Sequence, residues 1–143
     1  DNALNSLPQI QRDLVLLATL FPAGIRLEYV TALMKRHFYL NDNILNEELR
    51  KIITLGYVML NSTRKDLLKP SHDKIGLSIE TINSTEEFLE FYYNVENGLE
   101  ELVQQKKESA DYSYLERTYS ELLERKKKTN QKKISRLRTT RIL

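Results

Sequence analysis

The sequence predicts a mainly α-helical protein carrying one small β-hairpin, and three observations lead there. Apolar residues recur at intervals of three and four along most of the chain, the spacing that gathers them on one face of a helix. Glycine and proline are scarce, 4 and 3 among 143 residues, and they punctuate that spacing more often than they interrupt it. One stretch, Tyr57 to Lys69, departs from it and splits into two short runs around a polar turn.

The elements follow in order. Ser6-Leu-Pro-Gln9 reads as a helix start, with Ser6 as cap, Gln9 at the capping-box position and Pro8 tolerated in the first turn. Leu7, Ile10, Leu14, Leu17 and Phe21 form its apolar stripe, and Pro22-Ala-Gly24 stops it. Ile25 can add a short extended segment. Leu27 to Arg36 reads as a second helix with Leu27, Val30, Leu33 and Met34 inward. After a loop from His37 to Asp42, Asn43 can cap a third helix whose apolar set is Ile44, Leu45, Leu49, Ile52, Ile53 and Leu55. Gly56 stands where a left-handed C-terminal residue belongs. Tyr57-Val-Met-Leu60, a turn over Asn61 to Lys65, and Asp66-Leu-Leu-Lys69 make the hairpin, which Pro70-Ser71 ends. A further helix is expected from about His72 to Ile82. Helix, helix, helix, hairpin is the order of a winged-helix domain, placed here over residues 1–82.

Residues 83–143 read as a second unit. Ser84-Thr-Glu-Glu87 is a capping box. Phe88, Phe91, Val95, Leu99 and Leu102 follow at spacings of 3, 4, 4 and 3. After a break from Glu108 to Asp111, Tyr112, Leu115, Tyr119 and Leu122 continue at 3, 4 and 3. Two such helices predict a long antiparallel αα-hairpin, running on into a basic C-terminal helix.

Composition narrows the function. With 41% hydrophobic residues a packed core is within reach. There is no cysteine, which excludes disulfides and thiolate metal sites and fits a reducing, cytoplasmic setting. No apolar run reaches the ~20 residues of a membrane span, and the first residues lack the pattern of a signal peptide, so no membrane partner is expected. The start at Asp1 suggests a piece of a longer protein. The net charge of +2 conceals an asymmetry. From Glu124 to Leu143 nine Lys or Arg face one Glu, about +8, which leaves about −6 on the rest.

Most enzyme readings have nothing to stand on. The chain has no Gly-x-x-x-x-Gly-Lys-Ser/Thr loop for phosphates, no Gly-x-Ser-x-Gly and no His-Glu-x-x-His. Two isolated histidines, His37 and His72, make no zinc site. Glu86, Glu87, Glu90, Glu96, Glu100 and Glu101 read as the solvated face of a helix.

Ser71-His72-Asp73 admits two readings. In the first, Ser71 caps a helix, Asp73 complements the dipole in its first turn, and His72 fills a position. In the second, the free N–H groups of that helix start attract an anion, and His72 donates a hydrogen bond to it. The neighbouring dipole disfavours a charged imidazole, and a bound phosphate offsets that.

Three stretches resemble the winged-helix segment of STAND-type signalling ATPases, the class that includes the NLR immune sensors. "LPQIQRDLVLLATLFPAGIRLEYV" looks like that family's opening helix, Phe-Pro break and second helix. "LRKIITLGYVML" looks like its third helix running through a glycine into the wing, and "LLKPSHDKIGLSI" like its second wing strand and Met-His-Asp motif, with Ser71 in place of Met. The resemblance covers about residues 4–82. It implies that His72 contacts the β-phosphate of ADP in a resting state, that Asp73 supports it, and that exchange for ATP frees the segment so that the protein self-associates. It also implies a nucleotide-binding domain upstream in the same polypeptide, and no enzymatic activity or tight ADP/ATP binding in this chain alone. The late αα-hairpin would begin the helical sensor region that follows, in a defence or signalling role.

Two rival functions come from the residues themselves. A winged helix can place its third helix on DNA, but Arg50 and Lys51 are matched there by Asp42, Glu47 and Glu48. The basic tail, with Arg125, Lys126, Lys127, Lys128, Lys132, Lys133, Arg136, Arg138 and Arg141, is the better candidate for nucleic acid or an acidic partner, though no aromatic residue interleaves it for base stacking. The other rival is a purely structural interaction module. Its signs are Phe88, Phe91, Tyr92, Tyr93, Tyr112, Tyr114 and Tyr119, which either pack the hairpin against the first unit or, where exposed, mark a docking surface.

Overall fold

In the computed structural model, which describes residues 6–36, 41–61, 63, 66–71 and 85–124, helices dominate and a small three-stranded antiparallel sheet lies among the first three of them. The helix expected over His72 to Ile82, the capping serine Ser84 and the basic tail from Arg125 onward lie outside the described residues.

Helix α1 (Gln9–Thr19) starts at Gln9, not after Ser6. Pro8 occupies the N-cap position at φ −55° and ψ 153°. A residue preceding proline is pushed out of the helical region, so Leu7 cannot open the helix and Ser6 cannot cap it. The first turn closes through the Arg12 N–H to the Pro8 carbonyl, 2.9 Å. From Leu14 to Ala18 every residue is buried, so the C-terminal half of α1 is covered on all sides. It packs against α3 (Asp42–Thr54) and against the strand β3 (Leu67–Pro70).

The turn after α1 depends on Gly24. Its φ is +104°, and a Cβ there would stand 3.3 Å from the Cβ of Leu67. Both the backbone conformation and the close approach therefore favour glycine. The turn delivers β1 (Ile25–Arg26), which joins the expected hairpin of β2 (Val58–Leu60) and β3. The sheet order is β1-β3-β2. Ile25 pairs with Leu68 and Arg26 with Leu67, while Val58 pairs with Pro70 and Leu60 with Leu68. The short extended segment suggested at Ile25 thus makes the sheet three-stranded. Ile25, Val58 and Leu68 turn into the core, and Met59 faces out, the alternation a half-buried sheet requires.

Helix α2 (Leu27–Lys35) leaves β1 directly, with Glu28 in its first turn and Lys35 in its last. Its buried residues are Tyr29, Val30, Leu33 and Met34, and Leu27 is only half-buried. Helix α3 is capped by Asn41, whose side chain accepts from the Ile44 N–H at 2.9 Å, not by Asn43. Leu45, Leu49 and Ile52 face inward. Ile44 sits one position off that stripe and Leu55 lies past the last helical turn, so both remain exposed. Gly56 takes φ +87°, and its N–H and that of Tyr57 return to the carbonyls of Ile53 and Ile52. Those bonds satisfy the last carbonyls of α3 in a Schellman arrangement. A hydrogen bond of 2.6 Å from the Gln11 amide to the Glu48 carboxylate ties α1 to α3.

Helix α4 (Thr85–Gln105) and helix α5 (112–124) follow, joined by the turn 106–111. Tyr92, Val95, Leu99 and Val103 on α4, and Leu115, Thr118 and Leu122 on α5, are buried. All of these except Thr118 belong to the same apolar cluster as Leu14, Ile25 and Leu68. Helix α4 meets α2 at Gly98, where an added Cβ would lie 2.5 Å from a methyl of Leu33. Among the described residues no helix is long and apolar enough to cross a membrane.

Candidate functional site

Of the residues singled out from the sequence, Ser71 is described, while His72, Asp73 and the tail residues Lys126, Lys127, Lys128, Lys132, Lys133, Arg136 and Arg138 lie outside the described residues. The Ser71 N–H donates to the carbonyl of Tyr57 at 3.2 Å. Pairing between the two hairpin strands therefore continues to the residue immediately before His72.

The most developed polar cluster in the described part was not foreseen. It joins β1 and α2 to the turn before α5. Arg26 donates from one guanidinium nitrogen to Asp111 Oδ1 at 2.8 Å, and the Tyr29 hydroxyl donates to Asp111 Oδ2 at 2.6 Å. The Arg26 backbone N–H donates to the Tyr114 hydroxyl at 3.1 Å. The guanidinium carbon lies 4.3 Å from the centre of the Tyr114 ring, and the Tyr29 and Tyr114 rings stack with centroids 5.9 Å apart. One carboxylate, one guanidinium and two phenols are thus joined by hydrogen bonds, ring stacking and a cation–π contact.

Electrostatics follow from these contacts. Asp111 is held below its usual range by the hydrogen bond from Tyr29, then by that from Arg26. Tyr29 is only 2% exposed, and burial, reinforced by its bond to Asp111, pushes the phenol well above its usual range. Arg26 is raised chiefly by its hydrogen bond to Asp111. At neutral pH the cluster is therefore an ionised carboxylate, a guanidinium and a neutral tyrosine. It holds β1 and α2 to the turn before α5.

Tyr29→Phe is expected to lower stability by about 1.5 kcal/mol, the size of a hydrogen bond to a charged group. Denaturant titration checks this. Because the folded carboxyl of Asp111 lies below its reference value of 3.8, the cluster's contribution is complete above that pH and is lost as pH falls through the folded value. Asp111→Asn should flatten the stability profile in that acid range.

No sequence signal short of a fold could have paired these residues, since 85 positions separate Arg26 from Asp111. The nearest hint was the concentration of tyrosines on the late helices, and Tyr114 does pack against the first unit. Tyr93 is 59% exposed. A shallow groove of about 430 Å³ is lined by Arg36, Asn97, Glu100, Glu101, Gln104 and Gln105, and the Arg36–Glu101 ion pair crosses it. Glu90, Glu100 and Glu101 are exposed, as a solvated helix face should be, while Glu96 is half-buried. Among the described residues no group of three or more His, Cys, Asp or Glu side chains is placed to hold a metal ion.

No protein-family model matches this chain, and neither a curated protein nor a solved structure matches it.

Proposed function

We propose that the chain is the winged-helix segment of a STAND-type signalling ATPase, sensing the ADP or ATP state and relaying it to a helical region. The observation that carries this reading is the sheet order β1-β3-β2 within the sequence helix, strand, helix, helix, hairpin. In a winged helix, too, the strand between the first two helices pairs with the returning strand of the wing. The Phe21-Pro22 break, the left-handed Gly56 entering the wing and the strand pairing that reaches Ser71 add support. In this reading residues 1–82 are the sensing unit and 83–143 the helical connector. Ser71 caps the next helix, His72 contacts the β-phosphate of ADP, and Asp73 supports His72. The phosphate-binding loop would belong to an upstream domain of the same polypeptide.

The nucleic-acid reading draws less support. The exposed side chains of α3 include Asp42 and Glu47 beside Arg50 and Lys51, together with Ile44, which makes a poor footprint for a phosphate backbone.

The test uses the full-length parent protein, purified gently and denatured to release bound nucleotide. Wild type is expected to carry ADP. His72→Ala is expected to lose it or to self-associate without a stimulus. No nucleotide in either protein, or equal ADP with unchanged assembly, would sink the reading.

A further inference from the structure

Asp111 stands at the N-cap of α5. Its carbonyl accepts the first helical hydrogen bond, from the Leu115 N–H at 3.0 Å. Aspartate is among the best capping residues because its carboxylate can accept from first-turn N–H groups, here those of Ser113 and Tyr114. In this structure the carboxylate is turned the other way, with one oxygen on Arg26 and the other on Tyr29. Its own backbone N–H is held by the Ser109 hydroxyl at 3.2 Å, and that hydroxyl also donates to the Lys106 carbonyl at 2.8 Å. The turn is thus anchored independently of where the carboxylate points.

We propose that the Asp111 carboxylate is a two-position latch, clasping Arg26 and Tyr29 when α5 is docked on β1 and α2, and capping α5 when the helix is released. The two positions exclude each other by direction, because a carboxylate turned to reach both Arg26 and Tyr29 is turned away from the first-turn N–H groups of α5. Release breaks a charge-assisted network and restores a cap, so part of the cost is returned and α5 leaves as a preformed helix. An ordinary structural ion pair offers no such return. Arg26 pairs with Leu67 on β3, the strand that runs to Ser71, so a displacement of that strand acts directly on the clasp. In the relay reading, on which this purpose rests, the latch is where movement at His72 would be passed to the helical hairpin. The latch itself is a property of the chain and is tested without nucleotide.

The test is amide NMR on the full 143-residue chain, with hydrogen exchange read residue by residue. The groups facing the carboxylate are Arg26, Tyr29 and Lys106, with Tyr114 and Glu28 beside Arg26. In wild type the Ser113 and Tyr114 amides should not follow the Asp111 carboxyl titration. In the double variant Arg26→Gln/Tyr29→Phe, α5 amides should exchange about tenfold faster, the net of two lost charge-assisted hydrogen bonds and one regained cap, while those of α1 and α3 hold. The Ser113 and Tyr114 amides should now move downfield and titrate with Asp111. Adding Asp111→Ala should abolish that titration, and adding Asp111→Asn should leave α5 capped. If the double variant loses α1 and α3 as well, Arg26→Gln alone gives the same reading. Amides of Ser113 and Tyr114 that ignore the carboxyl in every clasp variant would overturn the latch. Such a failure would leave the nucleotide reading standing, and loss of the nucleotide reading would leave the latch.

Discussion

Leu68→Ala is expected to be the most damaging single truncation outside any site, lowering stability by about 3 kcal/mol. Leu68 is fully buried at the middle of the sheet and is paired on both sides, with Ile25 on β1 and with Leu60 on β2. Two costs combine when it is shortened. The removed carbons lose their transfer free energy, and the space they leave cannot collapse, because strands on either side hold the backbone in place. Leucine-to-alanine changes at such sites span about 2–5 kcal/mol. The placement within that range follows from the rigid surroundings on one side and the small size of the sheet on the other. Urea unfolding monitored by tyrosine fluorescence and by far-ultraviolet dichroism should show one transition shifted to lower denaturant with an unchanged slope. A loss below 1 kcal/mol would mean that Leu68 does not hold the centre of the core.

Gly98→Val is expected to act on one joint. A Cβ at Gly98 would lie 2.5 Å from Leu33 Cδ2 and 3.0 Å from Arg36 Cδ. The end of a leucine side chain can move on an exposed surface, but Leu33 is only 3% exposed. It has little room to retreat in an interior packed at crystal density. Overpacking of this kind costs about 1–3 kcal/mol, and valine's better helix propensity returns only a few tenths of that. The expected net loss is about 2 kcal/mol, concentrated where α4 leans on α2. Hydrogen exchange should quicken along α4 and α5 before it does in α1 and α3. Gly98→Ala serves as the graded control, since alanine adds one carbon and regains most of the propensity cost of glycine. Uniform weakening of all helices would show that α4 and the first three helices open only together.

How far the sequence carried the fold depends on the range of the signal. The stripe on α4, Val95 and Leu99 above all, was legible because burial on one helix leaves a local period, and both residues are buried. Gly56 was legible because a left-handed helix end requires little besides glycine, and φ is +87° there. The start of α1 was misplaced by two residues because capping letters were weighed above the restriction that Pro8 imposes on Leu7. The cap of α3 was placed at Asn43 instead of Asn41 since two asparagines compete there and only the chain's path selects one. Tyr29 was not in the expected inward set of α2, and the partner that makes burial of its hydroxyl tolerable is Asp111, 82 positions away. Local periodicity says which face a residue takes. It says nothing about which distant residue completes it.

The same clasp has a consequence for how this molecule keeps company with its own copies. Every open sheet has two borders whose outward N–H and C=O groups invite another strand. Here both borders are short, two residues in β1 and three in β2. The Arg26 N–H in β1 does not face solvent unmet, because the Tyr114 hydroxyl accepts it at 3.1 Å. A helix thus closes the border with one phenol. Beyond Arg26 the chain turns at once into α2, so that border is not prolonged. Release of α5 would uncover a hydrogen-bonding border together with apolar surface, so prolonged opening carries a risk of edge-to-edge aggregation that the docked helix suppresses.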